Sequence, residues 1–195
     1  MRSRQEGPSR FYWLAWIFYL LLAVAGALWL GWARGGLPLA LFLDRAGWWI
    51  DLLLGLAVGG LLLALWQAAL WRSPAAHELE GRLAGLLGKL ERDEAVALAA
   101  LSALAEELFF RGAVQGALGW LPTALLFGLL HSGPQRDLRL WGLFGLTSGL
   151  LFGGLVVARG NLLAVVLAHF LINAVNLARL AGKASAGSRA GAAGG

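Results

Sequence analysis

FYWLAWIFYLLLAVAGALWLGWA (residues 11–33) decides the fold of this chain. It carries no charged side chain, and about 20 apolar residues rising 1.5 Å each suffice to cross the hydrocarbon of a bilayer as a helix. A cleaved signal peptide is a poor description of it. The apolar run is too long, it holds Trp13, Trp16, Trp29 and Trp32, and no small-residue cleavage site follows. It reads as a retained first membrane span.

The rest of the chain extends the same pattern. Of 195 residues 59% are hydrophobic and 14% charged, whereas a soluble domain carries about 25% charged residues. There is no cysteine, which excludes disulfides and thiolate metal sites. Ala46–Trp71 reads as a second span, broken only by Asp51 near its start. Ser73–Glu94 mixes charges with Leu79, Leu83, Leu86, Leu87 and Leu90 at helical spacing, the pattern of an amphipathic helix on a membrane surface. Further helices are predicted over 95–118, 120–131, 140–158 and 162–180. The Gly/Ala-rich tail at 181–195 reads as disordered by composition. The expected fold is therefore all-α, a polytopic bundle of about six spans plus one amphipathic surface helix. Residues 1–94 form an N-terminal unit, 95–180 a helical core and 181–195 a tail.

Charge orients this bundle. The net charge of +5 sits at the ends of apolar runs, so it points to a lipid bilayer and not to nucleic acid. With the N-terminus inside, twelve basic residues fall on the inner side: Arg2, Arg4, Arg10, Arg72, Arg82, Lys89, Arg92, Arg136, Arg139, Arg179, Lys183 and Arg189. The outer side has three, Arg34, Arg45 and Arg159, so both termini are expected in the cytoplasm. Gly145, Gly149 and Gly153 recur every four residues, which would let a neighbouring helix approach closely.

Ionisable groups inside spans cost at least about 2.5–3.5 kcal/mol each on insertion scales, so their clustering calls for a cause. They gather in three places. AEELFFRG places Glu106, Glu107 and Arg111 in an apolar helix. Glu107 and Arg111 lie four apart and can pair, while Glu106 is turned away by about 100°. FGLLHSG sets Phe127 one turn before His131, a position that suits a helix cap as well as a catalyst. HFLIN projects His169 and Asn173 side by side. Such a pair either bonds neighbouring helices or presents two donors to one developing oxyanion. Asn176 nearby takes no role, His77 reads as solvated, Asp51 as polar glue, and HELEG is not the H-E-x-x-H of zinc peptidases.

In order, EExxxR, FxxxH and HxxxN on successive hydrophobic segments resemble the CPBP family, the CAAX prenyl endopeptidases and bacteriocin-processing proteins also called Abi. The resemblance covers about residues 95–180. It implies a glutamate-dependent intramembrane endopeptidase of a multi-pass plasma membrane protein, with a bacterial source suggested by the Ala/Leu/Gly/Arg-rich composition. Glu106 and His131 would hold and deprotonate a water, His169 and Asn173 would stabilise the oxyanion, and Glu107, Arg111 and Phe127 would support them. The family is often labelled metallopeptidase, and Glu106, His131 and His169 would be the ligands of a zinc ion. The water-activation scheme needs no metal and is the favoured one, with no cofactor. The implied partner is a membrane-associated or lipidated peptide substrate. A non-catalytic scaffold or immunity-type protein, or a small transporter with a proton relay, is the alternative.

Overall fold

Ser9 sets the start of the first helix by accepting a hydrogen bond from the Tyr12 N–H, and Gly35 ends it in the left-handed region at φ 71°. Between these caps lies α1 (Arg10–Arg34). The computed structural model describes residues 9–37, 39–43 and 46–193, with side chains through 181. After α1 come a 3₁₀ turn at Leu39–Leu41, α2 (Trp48–Arg72), α3 (Pro74–Leu87) and α4 (Arg92–Glu106). A π-helical stretch over Glu107–Val114 leads into α5 (Gln115–Leu118), followed by α6 (Trp120–Leu130), α7 (Arg136–Arg159) and α8 (Leu163–Ala193). No β-sheet occurs among the described residues.

Among the described residues four helices are long and apolar enough to cross a membrane: α1, α2, α7 and the 163–181 part of α8. Their outward faces are hydrocarbon. Leu28 is 69% exposed, Trp32 86% and Trp71 82%, a distribution that suits lipid and not water. The expected third span is a composite of α4, the π stretch and α5. The expected fourth is α6, whose 11 residues rise only about 17 Å of the roughly 30 Å hydrocarbon core.

The amphipathic segment expected over 73–94 is divided. Gly88, at φ 71°, ends α3, and Glu91 and Glu94 form a reciprocal capping box that starts α4. Instead of only resting on a surface, α3 packs Ala76 and Leu79 against Trp66 and Leu70 of α2 and against Leu138 and Trp141 of α7. His77 stays exposed, as expected. At the C-terminus the backbone continues as helix to Ala193, where composition suggested disorder; the stretch is rich in alanine, the strongest helix former. Arg2, Arg4 and Arg45 lie outside the described residues, as do the side chains of Lys183 and Arg189.

Small residues set the spacing between helices. A Cβ on Gly55 of α2 would come within 2.7 Å of the Ala164 carbonyl oxygen in α8, and one on Gly59 within 3.1 Å of that of Ala168. The glycine stripe of α7 receives α6 in the same way: Gly149 abuts Ala124, and Gly145 abuts His131. Hydrophobic attraction is absent in lipid, so this close van der Waals contact is what registers the helices. It fixes where His169 on α8 and His131 at the end of α6 stand relative to α4.

Candidate active site

The two adjacent glutamates sit where the helix changes its winding. Glu106 closes α4, Glu107 opens the π stretch, and at its far end the Gln115 N–H donates to the Phe110 carbonyl five residues back. Such wide turns are uncommon and recur at functional sites. Both side chains are buried, Glu106 at 6% exposure and Glu107 at 0%.

Glu107 accepts hydrogen bonds at Oε1, while its Oε2 has no hydrogen-bond partner and is held as an ion pair. Arg111 Nη1 donates to its Oε1 at 3.3 Å, and Arg111 Nε lies 3.2 Å from Oε2 as an ion pair. This is the pairing that four-residue spacing suggests. His169 Nδ1 also lies 2.7 Å from Glu107 Oε1, so α8 is tied to the π stretch by a charge-assisted bond. That contact was not legible in the sequence, where His169 and Asn173 read as neighbours without the acid that the histidine meets.

Glu106 has no comparable network, and the Tyr19 side chain of α1 lies near its carboxyl group. Its Oε2 has no hydrogen-bond partner among the described residues and faces His131 Nε2 at 3.9 Å. His131 is the C-cap residue of α6, and its Nδ1 lies 2.8 Å from the Phe127 carbonyl oxygen. A carbonyl only accepts, so Nδ1 carries the proton and the Nε2 lone pair is left towards Glu106. The cap and the inward-facing base are thus the same residue.

Phe127 holds the two halves together. Its ring lies 4.3 Å from that of His131 and 6.5 Å, edge-on, from that of His169. The Arg111 guanidinium sits 4.2 Å from the Phe127 centroid and 5.3 Å from that of Phe152. Glu106, Glu107, Arg111, Phe127, His131 and His169 therefore form one cluster. Asn173 stands beside it, its Nδ2 donating to Ser102 Oγ at 2.9 Å. Ser102 and Asn173 face a cavity of about 540 Å³ whose walls include Tyr19, Leu83, Leu98, Ile172 and Asn176. Tyr19 and Ser102 escaped the sequence reading because a lone hydroxyl in an apolar helix carries no spacing signal.

The residues named for a zinc ion do not assemble as ligands. His169 is turned onto Glu107, His131 onto the Phe127 carbonyl, and no three His, Asp or Glu groups among the described residues come together as a metal site. The arrangement does not fit a metal centre.

An all-α membrane bundle with a buried Glu/His cluster beside an apolar cavity is the class defined by this fold and site. Residues 94–175, which hold every motif residue, match the family model described as type II CAAX prenyl endopeptidase Rce1-like. That segment is similar to the Rce1-like family, in line with the CPBP resemblance. The chain is also similar to "Uncharacterized protein YpbD" of Bacillus subtilis (strain 168), 39% identical over 80 residues. The matched stretch covers 40% of this chain and 41% of the relative, so the chain spans about two fifths of its length. No solved structure matches.

Proposed function

We propose that the protein is an intramembrane endopeptidase that hydrolyses a peptide bond of a membrane-associated substrate, with Glu106 as general base. The observation that carries this reading is the buried Glu106 Oε2, without a hydrogen-bond partner and 3.9 Å from His131 Nε2. That gap is too long for a direct hydrogen bond and is spanned by one water held by both groups. Glu106 takes a proton as the water oxygen adds to the scissile carbonyl carbon. Asn173 keeps one Nδ2–H beyond the one given to Ser102, and His169 Nε2, when protonated, adds a second donor to the oxyanion. Collapse breaks the C–N bond, and the proton on Glu106 passes to the leaving amine. Glu107 and Arg111 orient His169 and the helix that carries Glu106.

The scheme routes no step through a metal or cofactor. The substrate is a membrane-associated or lipidated peptide, and the apolar cavity is where its segment lodges against Ser102 and Asn173. The protein sits in a bacterial plasma membrane with six crossings and both termini cytoplasmic. In support, Arg10, Arg72, Arg82, Arg92, Arg136, Arg139 and Arg179 mark the inner helix ends, and Arg34 and Arg159 the outer. Because the chain has no cysteine, Leu37→Cys tests the topology cleanly. It is expected to label from outside, and labelling only from the cytoplasmic face overturns it.

The function is tested with purified protein in lipid vesicles carrying a membrane-anchored peptide reporter. Cleavage by the parent and none by Glu106→Gln is the expected result. A scaffold or a proton relay would leave the reporter intact in both.

A further inference from the structure

We propose that Asn176 is a substrate-binding residue whose carboxamide pairs with the substrate main chain beside the scissile peptide unit. The inference rests on the peptidase reading given above and adds where on the cavity wall the main chain is held. Asn176 falls just beyond residues 94–175, the stretch matched by the family, and belongs to none of the three motifs.

The cavity follows α8, where Ile172, Asn173, Asn176, Leu177 and Leu180 form one wall. Other polar residues of the lining have partners in the fold. Asn173 donates to Ser102 at 2.9 Å, and Glu80 of α3 is ion-paired with Arg179 at 3.2 Å. Asn176 differs, because its Oδ1 is buried without a hydrogen-bond partner among the described residues. Burying a polar atom that way is costly until a partner completes it. What the cavity receives under the reading above is a peptide. A peptide unit offers an N–H and a C=O, the complement of a carboxamide. Spacing indicates which unit is met. Asn176 follows Asn173 by three residues, a rise of about 4.5 Å along α8 at about 60° from the same face. An extended chain advances about 3.3 Å per residue. With Asn173 at the oxyanion, Asn176 meets the main chain about one residue away, on the side that runs towards Arg179. This contact is the same in the bound substrate and in the transition state, so it contributes to binding and not to the chemical step.

Asn176→Leu keeps the branched shape and removes the carboxamide. It is compared with the parent in vesicles carrying the membrane-anchored reporter, and again with reporters in which one backbone amide at a time is an ester. An ester lacks the N–H and accepts more weakly. A second readout, independent of turnover, is binding of the same reporters to Glu106→Gln with and without Asn176→Leu. The expected result is a KM about fivefold to tenfold higher for Asn176→Leu, the scale of one hydrogen bond, at unchanged kcat. Binding weakens by the same factor, and the melting temperature is not lowered. The ester next to the scissile unit costs the parent that factor as well and costs Asn176→Leu nothing further, so the two losses do not add. Parent KM and binding in Asn176→Leu, or additive losses, overturn the role of Asn176. A lower kcat at unchanged KM, or a melting temperature that falls with activity, also overturns it. In each case an inactive Glu106→Gln leaves the peptidase reading standing. Cleavage by Glu106→Gln, or none by the parent, instead removes that reading, and the binding measurements then decide Asn176 by themselves.

Discussion

Two buried acids, Asp51 near the start of α2 and Glu106 at the end of α4, have different surroundings. Asp51 is 0% exposed and both of its oxygens are bonded, Oδ1 by Arg159 Nε at 2.6 Å and Oδ2 by Asn161 Nδ2 at 2.9 Å. Asn161 Oδ1 in turn accepts from the Leu163 N–H, and Arg159 Nη2 reaches the Gly47 carbonyl oxygen. The group staples α2 to the turn between α7 and α8. In the Glu/His cluster Glu106 Oε2, Glu107 Oε2, Arg111 Nη2 and Gln115 Oε1 are buried without hydrogen-bond partners. A buried polar atom left unpaired costs about 1–3 kcal/mol, and the bundle gathers several such atoms around this cluster. A saturated network holds a fold together, whereas an unsaturated one keeps capacity for a reactant.

Four variants or treatments would break or sharpen this contrast. Glu106→Gln has the largest expected effect: cleavage falls by about 10²–10⁴-fold, the usual contribution of a general base, while yield and melting temperature stay at parent values. Glu107→Gln strikes the ion-paired part of the cluster. Removing one partner of a buried pair costs on the order of 3–5 kcal/mol, so melting temperature and yield fall and activity falls with them. If Glu107→Gln is instead stable and inactive while Glu106→Gln still cleaves, the base is the other glutamate.

Asp51→Asn is expected to cost on the order of 2–3 kcal/mol, less than a fully buried pair because the Arg159 side chain is 21% exposed. Denaturation in mixed micelles checks it, and cleavage per folded molecule should match the parent. Addition of a chelator is expected to change nothing. Loss of activity restored by zinc would mean that Glu106, His131 and His169 rearrange into ligands when the ion binds.

Helix positions were legible because apolar length is written directly in the sequence: 11–33 became α1 almost residue for residue. The Glu107–Arg111 pair was legible because four-residue spacing is a local property. The π stretch was not, since nothing in ELFFRGAV distinguishes five-residue from four-residue bonding. The break at Gly88 was missed because leucines on both sides continue the amphipathic pattern. Partners across helices were the least legible. His169 onto Glu107, Asn173 onto Ser102 and Asp51 onto Arg159 depend on how glycine faces register the bundle, which motif spacing does not encode.

The division between a structural acid and a reactive one is tested most directly by measuring melting temperature and reporter cleavage on the same vesicle preparations of Asp51→Asn and Glu106→Gln. The account predicts that Asp51→Asn melts early yet cleaves like the parent below its transition, and that Glu106→Gln melts like the parent yet does not cleave. Cleavage at the parent rate by folded Glu106→Gln, or loss of cleavage in Asp51→Asn without a lower melting temperature, would contradict it.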